Sequence, residues 1–142
     1  MTDPARDLGD LLARGADRWR DRLLEGCAAA GFRGITATTC LVLRPLFEQD
    51  GLPISEVGAR VGLPKSTMTT VVRHLEREGL VLVESDAGDH RVKRMHLTDR
   101  ARDLEQALSD GITRLRHRVT ATLGPQGQQQ LHKTLQRIVD TL

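Results

Sequence analysis

Two groups of side chains hold the reactive and recognition chemistry of this 142-residue chain. The first is Lys65, Ser66, Thr67, Thr69, Thr70 and Arg73, a crowd of hydroxyls and cations directly behind Pro64. The second is Asp89, Arg91, Lys93 and Arg94, on a short polar stretch further on. Short hydroxyl side chains at the start of a helix can approach phosphates and base edges closely, and the unpaired backbone N–H groups there favour an anion. Arg73, farther along the same face, can take a guanine edge or a phosphate. An arginine on a hairpin tip can enter a minor groove, where negative potential concentrates, and an aspartate two residues earlier can hold it in place. Taken singly, each residue has an ordinary explanation: a cap, solvated threonines, a charged turn. Their grouping and order point to nucleic acid.

The elements that must position these groups are legible in the apolar spacing. Asp3-Pro4 opens a first helix, with Asp3 as N-cap and Pro4 at the first helical position; Leu8, Leu11, Leu12, Trp19, Leu23 and Cys27 share one face, and the helix closes near Gly31. Thr36 caps a second helix to about Gln49, with Cys40, Leu43, Leu46 and Phe47 inward, and Asp50-Gly51 closes it. Leu52-Pro53-Ile54 is an extended link. Ser55 caps a third helix, Glu56 to Val61, which Gly62 ends. The fourth helix runs from Pro64 to Gly79 with Met68, Val71, Val72 and Leu75 inward, which leaves the hydroxyl and cation set and Arg77 facing out. Leu80 to Val83 and Val92 to Leu97 are β-favouring runs around the tip Asp86-Ala87-Gly88-Asp89-His90-Arg91. Thr98-Asp99 starts a fifth helix with Leu104, Leu108, Ile112, Leu115, Val119 and Leu123 in register; Gly124-Pro125 breaks it, and a sixth carries Leu131, Leu135, Ile138 and Leu142. Helix, turn, helix and hairpin make a winged helix-turn-helix, which offers one helix to a major groove with a basic tip beside it. The expected fold is mainly α with a small β-hairpin wing: six helices in a single domain, residues 1–142, with the DNA-facing lobe at 52–98.

Composition narrows the classes. The formal net charge is only +2, which permits nucleic-acid binding through a patch without demanding it. No apolar run is long enough to span a bilayer, and the acidic start MTDPARDLGD does not read as a secretory signal. Two cysteines, Cys27 and Cys40, without CxxC spacing fit a reducing cytoplasm rather than a disulfide scaffold. The expectation is a cytoplasmic protein without membrane contact. Three apolar stripes, on the first, fifth and sixth helices, exceed what one small lobe can cover. The expectation is therefore a homodimer through the terminal segments 1–34 and 99–142, since a helix-turn-helix usually reads paired half-sites.

The run SEVGARVGLPKSTMTTVVRHLEREGLV, followed by Asp89-His90-Arg91 as an Asp-x-Arg wing motif and then Leu97-Thr98, resembles the MarR family of bacterial transcription regulators. The resemblance implies a homodimeric winged helix-turn-helix, with Asp89 and Arg91 as the wing pair and a recognition helix beginning at Ser66. Cys40 sits where the family's second helix commonly carries an aromatic, bordering the region where relatives bind small ligands. Trp19, Cys40 and Arg44 are the effector-pocket candidates, Arg44 supplying charge for an anionic ligand.

Other signals are weaker. Cys27 and Cys40 read as buried thiols first and as an oxidant sensor second: Cys27 lies late in its helix, where nothing lowers a thiol pKa, and Cys40 lies in the first turns of its helix, a better place, but on an apolar face. His74, His90, His96, His117 and His132 show no metal-ligand spacing on one helix, so no metal or cofactor is expected. No catalytic motif is present, so the chain is not expected to be an enzyme. The leading expectation is a sequence-specific DNA-binding transcriptional regulator, a repressor that a small-molecule effector or an oxidant releases from a pseudo-palindromic operator. The alternative is a winged-helix protein-interaction module with no specific DNA site.

Overall fold

The computed structural model describes residues 7–142, so the Asp3 cap and Pro4 lie outside the described residues. The elements follow in the order α1 Leu8–Ala29, α2 Ala37–Glu48, α3 Ile54–Val61, α4 Lys65–Arg77, β1 Val81–Ser85, β2 Lys93–Leu97 and α5 Asp99–Thr141. Among the described residues there are thus five helices rather than the six expected. Gly124, at φ 72° and ψ 166°, leaves helical geometry, so the interruption expected at Gly124-Pro125 is present as a kink within α5, with helical segments running on either side of it. Pro125 follows at the first position after the bend, where its missing N–H costs no helical bond. No described helix is long and apolar enough to cross a membrane.

Caps explain most boundaries. Thr36 and Thr39 form a reciprocal box at the start of α2: Thr39 N–H donates to Thr36 Oγ1 (3.2 Å) and Thr36 N–H donates to Thr39 Oγ1 (2.7 Å). Thr98 Oγ1 accepts from Ala101 N–H (3.2 Å) at the start of α5 and donates to the Gly79 carbonyl (2.6 Å), which ties α5 to the end of α4. The Ser55 cap is not observed. Helix α3 begins two residues earlier, at Ile54, behind Pro53, whose fixed φ of −57° already leads into the helix, and no side chain caps it. Helix α4 ends in a Schellman arrangement. Gly79 N–H bonds the Glu76 carbonyl (2.9 Å) and Leu80 N–H bonds the Leu75 carbonyl (2.9 Å), with Gly79 at φ 68°, a conformation that favours glycine. That reversal sends the chain directly into the wing.

The strands pair antiparallel from Val81 opposite Leu97 to Ser85 opposite Lys93. Leu80 and Val92, expected within strands, fall outside them: Leu80 completes the α4 cap, and Val92 belongs to the tip turn, its N–H bonded to the Asp89 carbonyl. The extended link before α3 lies along β2, with Met95 N–H donating to the Leu52 carbonyl (2.9 Å) and Pro53 bridging Arg94.

One core joins these parts. Val42, Leu43 and Leu46 of α2, Val57 of α3, Leu75 of α4, Met95 of β2 and Leu104 of α5 are all fully buried. Burial fades along the terminal helices. Leu104 is sealed and Leu108 half-buried, while Ile112, Leu123, Leu131, Leu135 and Val139 are exposed, as are Leu8, Leu11 and Trp19 of α1. Helix α1 packs on α5, yet the pair leaves apolar surface uncovered in a single chain.

Leu75 sits at the centre of the lobe, between the helix that bears the hydroxyl set and its support. Leu75→Ala is expected to lower the unfolding free energy by about 2–5 kcal/mol in a urea titration, the usual range for a buried leucine truncation. A loss well under 1 kcal/mol would show that α4 does not depend on this contact.

Candidate nucleic-acid interface

The site is built by burying one side of α4. Met68, Val71, Val72 and Leu75 form its buried face, and the opposite face carries Lys65, Ser66, Thr69, Thr70 and Arg73, all exposed. Thr67 differs from the sequence expectation in being half-buried, because it turns toward the flank rather than outward. The helix has no side-chain cap: Pro64 precedes it, and Ser66 lies in its first turn. Its first N–H groups are therefore left for an outside acceptor. Thr69 and Thr70 turn their hydroxyl protons back onto the helix, Thr69 Oγ1 to the Lys65 carbonyl (2.9 Å) and Thr70 Oγ1 to the Ser66 carbonyl (3.3 Å). Each oxygen still offers lone pairs, and each methyl group can contact a thymine methyl.

The wing tip is braced by two aspartates. Asp89 holds Arg91 with both carboxylate oxygens, Arg91 Nε to Oδ1 at 3.0 Å and Arg91 Nη2 to Oδ2 at 3.1 Å, and Oδ1 also accepts the Arg91 N–H. The fork fixes the guanidinium, while the Arg91 side chain stays 91% exposed. The Arg91 side chain and backbone N–H hold the Asp89 carboxyl below the usual carboxylate range, and Asp89 in turn raises Arg91. Asp86 does the complementary work at the base of the tip. Its Oδ2 accepts from the N–H groups of Gly88 (2.9 Å) and Asp89 (3.0 Å), and its Oδ1 accepts from Arg94 Nε. Arg94, then these backbone donors, lower the Asp86 carboxyl as well. Both carboxyls are thus ionised throughout the neutral range, and the bracing is lost only as pH falls through their depressed values.

Two members of the expected set are committed elsewhere. Arg94 is half-buried and bonded to Asp86 and, through Nη1, to the Gly51 carbonyl (2.9 Å), so it fastens the wing to the α2–α3 link. Lys93 Nζ donates to Ser85 Oγ across the hairpin (2.7 Å) but remains exposed. Asp86 is the residue that the sequence reading passed over. Its signal was an aspartate two residues before a glycine, the pattern of a side chain closing its own turn.

Between α3, the start of α4 and the wing lies an open cleft of about 550 Å³, lined by Ser55, Lys65, Thr69, Arg91 and Lys93 among others. It brings the helix set and the wing set to one surface. Beside it, Thr70, Arg73, Glu76 and Arg77 line a second, shallower hollow. The effector candidates are not gathered in this way. Trp19 lines a groove between α1 and α5 with Arg18, Arg22 and Arg118. Arg44 lines a different hollow against α3 with Leu41, Glu48 and Arg60. Cys40 packs against the core near Cys27. Among the described residues, Trp19 and Arg44 thus line different hollows.

The MarR family model matches residues 35–93, the span from the start of α2 through the wing to the first residue of β2. Over that span the chain is similar to the MarR family. Its relatives include the HTH-type transcriptional regulator SarZ of Staphylococcus epidermidis, 32% identical over 77 residues, a match that covers 54% of this chain and 52% of SarZ. The match thus spans about half the length of that relative. Among solved structures, the PcaV transcriptional regulator from Streptomyces coelicolor, in complex with its natural ligand, is 27% identical with a TM-score of 0.69 and covers 99% of this chain and 96% of that one. A MepR variant from S. aureus bound to an oligodeoxyribonucleotide shares the fold, at 20% identity and a TM-score of 0.68, over 95% of this chain and 97% of that one. In this chain both thiols are raised above their ordinary range. Burial raises the Cys40 thiol to about 11, with Cys27 adding to the effect, and burial raises Cys27 against the opposing pull of Arg114.

At pH 8, iodoacetamide is expected to label Cys40 in the native chain at least tenfold more slowly than in urea, because the thiolate is the attacking form. Equal rates, read by mass spectrometry, would show an accessible and activated thiol.

Proposed function

We propose that this chain is a MarR-family regulator, a sequence-specific DNA-binding transcriptional regulator that acts as a dimer. The observation that carries the proposal is the joint exposure of the α4 hydroxyl and cation face and of Arg91, which Asp89 aims on the neighbouring wing. In this reading α4 enters a major groove. Ser66, Thr67, Thr69 and Thr70 meet base edges and phosphates, Arg73 takes a guanine or a phosphate, and Lys65 and Lys93 take phosphates. Arg91 reaches the adjacent minor groove, and Arg94 and Asp86 hold the wing at the required height. MepR, a protein of the same fold, is bound to an oligodeoxyribonucleotide in its solved structure, which is consistent with DNA as the partner of this fold.

The exposed apolar residues of α1 and α5 support a two-fold dimer that sets two copies of α4 about one helical turn, roughly 34 Å, apart. The complex of PcaV with its natural ligand supports control by an effector, and repression relieved by that effector is the simplest form. Release by an oxidant has less support, since burial keeps both thiols protonated. Trp19, with the neighbouring arginines of α1 and α5, is the better starting point for an effector search; Cys40 and Arg44 face elsewhere.

The direct experiment is selection of bound duplexes from a random pool with the purified chain, followed by titration of the enriched duplex against salt. Enrichment of a pseudo-palindrome, with affinity falling steeply as salt rises, is expected. No enrichment would leave the protein-interaction module as the better reading. Arg91→Ala is expected to weaken binding of that duplex by about tenfold or more, about 1–3 kcal/mol, without changing helix content; unchanged affinity would remove the wing from the interface. Replacing both Leu135 and Ile138 with Glu should give folded monomers in sedimentation that bind the duplex poorly. A variant that still sediments as a dimer would move the interface away from the end of α5.

A further inference from the structure

The back of α4 is tied to the terminal helices at one place. His74 lies on α4 next to Arg73 but points the other way, half-buried, with its Nε2 2.6 Å from the Gly34 carbonyl. A carbonyl can only accept, so Nε2 carries the proton and donates. Gly34 belongs to the loop between α1 and α2, and the Glu78 carboxyl end occupies the space that a β-carbon at Gly34 would need, 2.7 Å from Glu78 Cδ. The same loop is held from α5. Arg100 lies over the Phe32 ring (4.7 Å), donates from Nε to the Glu78 carbonyl (3.0 Å) and from Nη2 to the Gly31 carbonyl (3.4 Å). The end of α1, the start of α5 and the C-terminal half of α4 therefore meet over a few side chains.

We propose that His74 is a positioning residue for the recognition helix. Its bond to Gly34, reinforced by Arg100, makes the 31–34 loop the linkage through which the attitude of the terminal helices fixes the attitude of α4 in the groove. The proposal rests on the DNA-reading role given above. Apolar packing of Met68, Val71, Val72 and Leu75 decides which side of α4 is buried, but it is non-directional and adds no contact of fixed angle on the flank. A hydrogen bond is directional, and His74 places one beside the reading residue Arg73. A dimer that measures the distance between half-sites needs the rotation of α4 about its axis fixed, because a small turn of each α4 changes which base edges Thr70 and Arg73 can reach.

The test uses the full chain and the duplex enriched by the wild type, with a random-sequence duplex of equal length as reference. His74→Met removes the donor, and His74→Gln restores a donor at similar reach. For His74→Met, affinity for the enriched duplex is expected to fall about three- to tenfold, the size of one neutral hydrogen bond, with affinity for the random duplex unchanged. A duplex with its half-sites one base pair further apart should be discriminated less sharply. His74→Gln should recover both properties. Arg100→Lys, which keeps the charge but cannot bond both carbonyls, should reproduce the broadened spacing, and it decides the matter if His74→Met does not retain its helix content. The proposal is overturned if the Met variant keeps wild-type discrimination, or if the Gln variant behaves like the Met variant, while the wild type still enriches a duplex. If the wild type enriches none, the regulator reading fails and the linkage falls with it.

Discussion

The structure depends on α4 having two unlike sides. Met68, Val71, Val72 and Leu75 are buried against the lobe, and this burial turns Lys65, Ser66, Thr69, Thr70 and Arg73 outward. Leucine-sized side chains that leave water contribute about 1.5–3 kcal/mol each, far more than any surface ion pair in this chain. Apolar packing therefore decides which face is offered, and the polar chemistry follows from it. The same helix bears the Schellman turn at Gly79 that aims the chain into β1, so the placement of the wing is inherited from the placement of α4.

Polar interactions act locally, where they hold charges in place. Asp86 closes the tip turn and anchors Arg94, while Asp89 orients Arg91. Because Arg91 is almost fully exposed, its pairing with Asp89 contributes little to stability. Its value is geometric: a long side chain that would sample many rotamers is held in one direction before any ligand arrives, which reduces the ordering cost of binding. Arg94, a few residues away and equally basic, is used as a strut instead. Sequence alone does not separate these roles, since both arginines follow an aspartate on the same hairpin.

Much of the fold was legible because its signals are local. The Thr36 and Thr98 caps, the inward face of α4, the glycine stops and the hairpin all depend on neighbours within a few residues, and each stands where the spacing placed it, within a residue or two. The misses have the opposite character. Ser55 had the right type for a cap, but Pro53 started α3 first. Gly124-Pro125 does interrupt helical geometry, as its residue types suggest, but helical structure resumes at once, so the two segments form one kinked element rather than separate helices. Arg94, His74 and Arg100 make their decisive contacts with residues 43, 40 and 69 positions away, and no local pattern reports such partners. The candidate groove was readable as a set of residue types; which members touch a ligand and which hold up the scaffold was not. Trp19 and Arg44, paired in the sequence by suitable chemistry, line different hollows of the single chain, a separation that no local pattern reports.

The central claim is that the outer face of α4 and the tip of the wing meet one duplex together, in a major groove and the minor groove beside it. A hydroxyl-radical footprint of the intact chain on its enriched duplex tests this most directly. The account predicts two windows of protection about one helical turn (~34 Å) apart, each flanked by minor-groove protection that disappears when Arg91 is replaced. Protection without groove periodicity, or a flank unaffected by the loss of Arg91, would contradict it.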